Sequence, residues 1–157
     1  MTIDIDVEDG LWGRIPELEG LTQRAAAAAF DEAGFDGSNH VVTILFTDDD
    51  AMKALNTEWR GKASPTNVLS FPAPDDLPIP SGEDRPLGDI VLASGVVARE
   101  ASEQGKSLPD HVAHLIVHGI LHLLGHDHED DDEADRMERL ETEILKGLGI
   151  SDPYERQ

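Results

Sequence analysis

The most constraining feature of this 157-residue chain is an apolar helix with regularly spaced histidines. Residues 109–124 read PDHVAHLIVHGILHLL, in which Pro109 suits the first turn of a helix, and Gly125 is a typical residue just after a helix end. His118 and His122 are four residues apart, so an α-helix places them on one face, about one turn apart. The fold therefore has to present two imidazoles side by side from one apolar helix.

Around this helix, the sequence predicts a mixture of strands and further helices. Alternating apolar and acidic residues predict the first strand, and a β-branched, almost entirely apolar run predicts a more deeply buried one. The predicted strands cover residues 3–7, 40–47, 67–71 and 87–93. The predicted helices cover residues 18–33, 51–59, 95–105, 109–124 and 131–148, with one of Asp48–Asp50 capping the second and Ser94 the third. This order predicts a single domain over residues 1–157, of the α+β or mixed α/β class.

Composition narrows the classes of function. The 33 Asp and Glu residues against 12 Lys and Arg give a formal charge of −21, which argues against a protein that coats DNA or RNA non-specifically. The absence of cysteine excludes zinc ribbons, CxxC redox sites, iron–sulfur clusters and thiol nucleophiles. No segment approaches the ~20 apolar residues of a membrane span, and the acidic N-terminus is unlike a signal peptide. We therefore expect a soluble, cytoplasmic protein.

Six of the seven histidines lie after residue 110, and this concentration predicts a metal site. Neutral imidazoles on one helix face, such as those of His118 and His122, can bind one ion together. His114 is four residues before His118, but ligands at three successive turns would span ~12 Å along the helix axis. Metal–nitrogen bonds of ~2.0–2.1 Å cannot bridge that length, so the third ligand has to come from outside the helix.

The turn at Gly125 can bring either His126 or His128 back to the same ion, and the longer reach from the turn favours His128. The two other histidines nearby, His114 and His126, are then expected beside the site or on the surface. Three nitrogen ligands leave a fourth position open for water or substrate, which is typical of catalytic rather than structural sites. By ligand type, we expect one divalent ion, with Zn²⁺ as the default.

The residue after the first histidine separates this site from zinc peptidases of the H-E-x-x-H type. Those enzymes carry a glutamate there as general base, whereas this chain has Gly119. A hydrolytic reaction would then depend more on the metal itself. A metallopeptidase or another zinc hydrolase remains an alternative if its base comes from elsewhere. A non-catalytic metal-binding module and a metal-storage protein are further alternatives.

Two segments resemble the YbeY family of bacterial single-strand-specific endoribonucleases and rRNA maturation factors. Residues 118–128, HGILHLLGHDH, resemble its H-G-x-L-H-L-x-G-[aromatic]-D-H signature, with a histidine at the aromatic position. Residues 60–72, RGKASPTNVLSFP, resemble its R-G-x-x-x-P-T-[ND]-V-L-S-F-P block. The resemblance extends over residues 40–148 and implies a compact α+β domain with a small mixed sheet packed against several helices. The metal site would lie on a helix and the turn that follows it.

The resemblance also implies roles for individual residues. The metal ligands would be His118, His122 and His128, and the functionally important arginine would be Arg60. The implied activity is endonucleolytic cleavage of ribosomal RNA, notably in maturation of the small-subunit 3′ end and in ribosome quality control. The implied partners are ribosomal RNA and ribosomal or ribosome-associated proteins, and neither DNA nor a membrane.

As a mechanism, we hypothesise that a metal-dependent hydrolase domain activates a water or a ribose 2′-OH, with His118 and Arg60 as catalytic residues. The planar guanidinium of Arg60 would bind the scissile phosphate, and Lys62 is a weaker candidate for a neighbouring one. The alternative for Arg60 is a surface ion pair with Asp48–Asp50. Residues 56–72 carry a single glutamate against Arg60 and Lys62, which predicts a small positive cleft on an acidic body. Asp127 is a candidate to orient one imidazole.

Overall fold

The described residues form one mixed sheet of four strands and five α-helices. The computed structural model describes residues 2–74, 76, 78–126 and 130–150. The strands are β1 (Thr2–Val7), β2 (His40–Thr47), β3 (Val68–Pro72) and β4 (Arg85–Ala93). The helices are α1 (Leu18–Glu32), α2 (Asp49–Arg60), α3 (Ser94–Glu103), α4 (Leu108–Leu123) and α5 (Asp131–Gly147). The predicted α+β class with a small mixed sheet is confirmed.

The strand order in the sheet is β1-β2-β4-β3. β2 runs parallel to β1 and β4, and β3 runs antiparallel to β4. Ile44 of β2 lies opposite Ile5 of β1 on one side and Ile90 of β4 on the other. The apolar run of the second predicted strand is therefore interior to the sheet, and β3 forms one of the sheet edges.

The two faces of the sheet carry separate apolar clusters, because successive strand residues point to opposite sides. Ile44, Phe46 and Ile90 belong to a buried cluster that also contains residues of α1, α4 and α5. On the opposite face, Leu69 and Val91 pack with Met52, which is buried on α2. The histidine-bearing helix α4 thus lies against the larger cluster, with many of its apolar residues fully buried.

Two residues of the acidic triplet after β2 accept hydrogen bonds at the N-termini of α2 and α3. The side chain of Asp48 accepts a hydrogen bond from the Ala51 N–H at 2.8 Å and caps α2, as predicted. The neighbouring Asp49 accepts from the Val96 N–H at 3.0 Å, at the start of α3. The prediction that Ser94 caps α3 was therefore wrong: Ser94 is the first helical residue, and its hydroxyl donates to a carboxylate oxygen of Asp9.

Two further features differ from the sequence-based expectation. β4 begins at Arg85 rather than at Leu87, because the residues before Leu87 pair with the start of β2 despite their loop-like composition. Pro86 is tolerated close to the beginning of the strand. A short 3₁₀ helix, Gly10–Arg14, was not predicted. None of the described helices is long and apolar enough to cross a membrane.

Candidate metal centre

The C-terminal end of α4 turns back at Gly125. The His126 N–H donates to the Leu121 carbonyl at 3.0 Å, and the Gly125 N–H donates to the His122 carbonyl at 3.0 Å. These two bonds form a Schellman motif, and Gly125 has the positive φ of 93° that favours glycine there. The helix therefore ends where the sequence predicts, and the turn brings His126 to the cavity that also contains His122.

His118 and His122 direct ring nitrogens at one another beside this cavity. Their Nε2 atoms lie 3.0 Å apart, and both rings are half-buried. Two nitrogens bound at ~2.0–2.1 Å to one tetrahedral ion are separated by about 3.3 Å. The pair is therefore already close to the spacing of two ligands on one divalent ion, and imidazole is a donor that such ions accept.

A buried carboxylate on α5 fixes the ring of His118 from behind. Glu141 is completely buried, and its Oε1 accepts a hydrogen bond from Nδ1 of His118 at 2.7 Å. Its Oε2 accepts from Nε2 of His114, also at 2.7 Å. Because an ionised carboxylate only accepts, His118 carries a proton on Nδ1, and in the neutral imidazole Nε2 then keeps a lone pair towards His122. A carboxylate in this position is a common means of orienting a metal-binding histidine.

The charge of Glu141 is maintained by its two histidine partners. Burial alone would raise the pKa of this carboxyl, but the hydrogen bonds from His114 and His118 outweigh that effect and lower the pKa to about 2. Glu141 is thus an anion at neutral pH, although no part of it is exposed. Glu141 was not among the site residues predicted from the sequence. The available signal was its position on the apolar face of the last helix, four residues after Met137 and four before Leu145.

The described residues offer two candidate donor sets that share His118. In the first, the Nε2 atoms of His118 and His122 converge. In the second, His114, His118 and Glu141 each offer one ligand atom, and these atoms all lie within 4.8 Å of one another. The described residues thus offer donor atoms for a divalent ion at either of two places. The distances of 2.7 Å to Glu141 are those of charge-assisted hydrogen bonds.

A cavity of about 620 Å³ joins the histidines to the end of α2 and to the open edge of β3. It is lined by Trp59, Arg60, residues 67–72, His118, His122, Gly125 and His126. The structure therefore brings Arg60 to the same cavity as the histidine pair. The ion-pair alternative is wrong: Asp48–Asp50 lie at the opposite end of α2, Asp49 pairs with Arg99 at 3.1 Å, and no ion pair of the described residues includes Arg60.

Two other predicted residues lie elsewhere. Lys62 is exposed in the loop after α2, where its backbone N–H donates to the Asn56 carbonyl at 3.3 Å, and it is not among the residues that line the cavity. The predicted third ligand, His128, and the predicted orienting residue, Asp127, lie outside the described residues. The assignment of His118, His122 and His128 as a ligand set therefore stays a prediction.

Gly119 allows α4 to approach the sheet closely. A Cβ atom at this position would lie 3.1 Å from two side-chain carbons of Ile90 and 3.2 Å from Oγ of Ser70. The Ser70 hydroxyl donates to the Gly119 carbonyl at 3.3 Å. A larger residue at this position, such as the glutamate of the H-E-x-x-H peptidases, would therefore require Ile90 or Ser70 to shift by a few tenths of an ångström.

A partly buried hydrogen-bond chain holds Asn67, one of the residues that line the cavity. The amide of Asn67 donates to Glu100 at 3.0 Å, and Nε2 of the buried His111 lies 3.0 Å from the same carboxylate oxygen. The Asn67 side-chain oxygen accepts from the Val68 N–H at 2.6 Å. Asn67, directly before β3, is thus held by Glu100 of α3, which lies 33 residues further along the chain.

We expect His111 to make the stability of the protein depend on pH. Burial lowers the pKa of His111 below 6.5, against an opposing effect of Glu100. Below pH 6.5 the unfolded chain therefore takes up a proton that the folded chain does not. As the pH is lowered in this range, the free energy of unfolding decreases by up to about 1.4 kcal/mol per pH unit. Urea unfolding between pH 7.5 and 5.5 should show a smaller decrease for His111→Gln. The variant His40→Gln controls for replacing a histidine, and equal slopes would contradict the expectation.

The fold and the cleft define an α+β protein with a histidine pair on a central helix, an orienting carboxylate behind it and an arginine across the cavity. A family model described as "Endoribonuclease YbeY" matches residues 9–149. The chain belongs to the YbeY endoribonuclease family. The predicted family membership is thereby confirmed.

Two curated relatives are similar over nearly their full length. "Endoribonuclease YbeY" of Chelativorans sp. (strain BNC1) is 53% identical over 154 residues, which cover 98% of this chain and 93% of the relative. "Endoribonuclease YbeY" of Bartonella bacilliformis is 46% identical over 156 residues, covering 98% and 97%. The solution structure of TM1509 from Thermotoga maritima is similar with a TM-score of 0.58 and 26% identity, over 99% of this chain and 100% of that one. The two curated relatives are named endoribonucleases, which are hydrolases acting on RNA phosphodiester bonds.

Proposed function

We propose that this protein is a metal-dependent endoribonuclease that cleaves single-stranded RNA. The observation that carries the proposal is the convergence of the His118 and His122 Nε2 atoms at 3.0 Å in a cavity that Arg60 also lines. Family membership supports the reaction class. Gly119, which stands where the H-E-x-x-H peptidases carry their general base, weighs against the peptidase alternative.

The proposed ligands are His118, His122 and His128, with Zn²⁺ as the default ion for three imidazole donors. The ion would supply Lewis-acid chemistry, through a more acidic water or a polarised phosphate. Glu141 supports this arrangement by keeping the His118 proton on Nδ1, away from the cavity. His114 shares that carboxylate and, in this proposal, acts on the site only through it.

Arg60 is proposed to bind the phosphate of the substrate. Its side chain is exposed at the cavity wall, and among the described residues it has no carboxylate partner that would have to be displaced. A guanidinium can donate two parallel hydrogen bonds to phosphate oxygens, which would orient the scissile bond as well as attract it. Lys62, outside the cavity, is proposed at most for a more distant phosphate.

In the cell, we propose maturation of the small-subunit ribosomal RNA 3′ end and ribosome quality control, in the cytoplasm. With a formal charge of −21, the chain repels bulk RNA, so binding to naked RNA should be weak. Ribosomal or ribosome-associated proteins are therefore proposed to supply part of the recognition.

An RNA cleavage assay tests the activity. The purified protein should cut a labelled single-stranded RNA, lose this activity with a chelator and recover it with Zn²⁺, while a duplex RNA, a single-stranded DNA and casein stay intact. Arg60→Ala should reduce kcat/KM by roughly 10- to 100-fold, because a charge-assisted phosphate contact is lost. Arg99→Ala is the matched control, since Arg99 is exposed and pairs with Asp49. Casein cleavage, or unchanged RNA cleavage after complete metal removal, would contradict the proposal.

A further inference from the structure

Trp59 is exposed to an unusual degree for its size. It is 65% exposed, and Val7 is the other large apolar side chain that is exposed among the described residues. Trp59 follows Met52 and Asn56 along one face of α2, at the spacing of helical neighbours. Met52 and Asn56 are only 0% and 2% exposed. The helix face that is buried at these two residues therefore ends at Trp59, whose indole is exposed to solvent.

The indole packs against an aromatic ring of the neighbouring strand. Its ring centroid lies 6.1 Å from that of Phe71 on β3, with the two planes inclined at 61°. Edge-to-face contact of this kind positions a ring and leaves its own surface accessible. Trp59 therefore combines a defined position with a broad exposed aromatic surface.

The position of Trp59 connects it to the candidate centre. Trp59, Arg60, His118 and His122 line the same cavity of about 620 Å³. Trp59 also borders a second cavity of about 930 Å³ over the opposite face of the sheet, so it lies at the rim between the two. A nucleotide whose phosphate contacts Arg60 would therefore carry its base within reach of the adjacent indole.

We propose that Trp59 is the stacking surface for one base of the single-stranded RNA whose neighbouring phosphate is bound by Arg60. This inference rests on the proposed endoribonuclease function. Aromatic stacking suits this chain, because its 12 Lys and Arg residues against 33 acidic ones leave little general attraction for phosphate. A flat ring can stack on any base, whereas a base inside a duplex has both faces covered by its stacked neighbours.

Two substitutions distinguish stacking from simple apolar contact. Trp59→Tyr keeps an aromatic face, whereas Trp59→Leu keeps an apolar side chain without one. On single-stranded RNA, Trp59→Leu should raise KM roughly 5- to 100-fold with kcat little changed, and Trp59→Tyr should stay within about threefold of the unmodified protein. The stacking contribution should persist at high salt, whereas the effect of Arg60→Ala should shrink. Val7→Ala, on the opposite edge strand, controls for removing an exposed apolar group.

Fluorescence gives a direct readout on the same protein. The other tryptophan, Trp12, is 2% exposed, so quenching by solutes and ligands reports mainly on Trp59. A single-stranded RNA should quench the emission, and an abasic ribose-phosphate oligomer of equal length should not.

The outcomes separate the two hypotheses. If the unmodified protein cuts no RNA, the proposed function fails. If it cuts RNA but Trp59→Leu has an unchanged KM, the stacking proposal fails and a protein-docking role for the exposed indole is favoured. Equal quenching by the intact and abasic oligomers would also overturn stacking.

Discussion

Replacing His122 by alanine should remove metal binding and RNA cleavage together. The variant loses one of two nitrogens that lie 3.0 Å apart, and the remaining ligands bind one divalent ion much more weakly. Zinc content should fall from about one ion per chain to near zero. Cleavage should fall by roughly a hundredfold or more, because even changes behind the ligands typically cost 10- to 100-fold. Metal analysis and the RNA cleavage assay measure the two effects.

His114→Ala is the matched variant, because it removes a histidine from the same helix and distinguishes the two donor sets. If the ion is bound by the His118–His122 pair, the His114 variant keeps the ion and most of the activity. It should lose about 1–3 kcal/mol of unfolding free energy, since Glu141 is deprived of one donor. The reverse result, with metal lost in the His114 variant and retained in the His122 variant, would place the ion in the buried group with Glu141.

Much of the fold was predictable because its signals are local. The Asp48 cap, the turn at Gly125 and the β-branched run of β2 each specify the conformation of a few neighbouring residues. The start of β4 could not be predicted, because Arg85 and Pro86 resemble the loop before them and become part of a strand only by pairing with β2. The cap of α3 was missed for the same reason: Asp49 reaches it from another element of the fold.

In the candidate site, too, the local features were predictable and the contacts between distant segments were not. Helical periodicity places His118 and His122 side by side, and a motif resemblance identified Arg60, which α2 carries to the same cavity. The contacts that hold the site join distant segments: Glu141 is 23 residues from His118, and Glu100 is 33 residues from Asn67. Spacing along a single chain does not encode such pairs. A glutamate within an apolar helical face was the available signal for Glu141.

Glu141→Gln should weaken metal binding roughly 10- to 100-fold while the fold persists. The glutamine amide presents one acceptor and one donor where the carboxylate presents two acceptors. One of His114 and His118 must then move its proton to the other ring nitrogen. When this occurs at His118, the proton occupies Nε2 and removes the lone pair that faces His122. Competition with a chromophoric zinc chelator measures the affinity.

Glu141→Leu removes both acceptors and should have the larger effect on both affinity and stability, since two partly buried imidazoles lose the acceptor of their N–H groups. Glu143→Gln is the control, because Glu143 lies on the same helix and is exposed. If both Glu141 variants bind zinc as tightly as Glu143→Gln does, the orienting role of the carboxylate is wrong.

Acid unfolding of the metal-free protein provides an independent measure of the same carboxylate. The pKa of Glu141 is lowered from an ordinary 4.5 to about 2, because its hydrogen bonds to the two histidines outweigh the opposing effect of burial. A carboxyl with a lowered pKa stabilises the folded state fully above pH 4.5, and this contribution is lost as the pH falls towards 2. The decrease in unfolding free energy between pH 5 and 3 should therefore be shallower for Glu141→Gln than for Glu143→Gln. The Glu141→Gln variant starts from lower stability, but no group titrates at this position. An identical decrease in unfolding free energy for the two variants would show that Glu141 is not held as a buried anion.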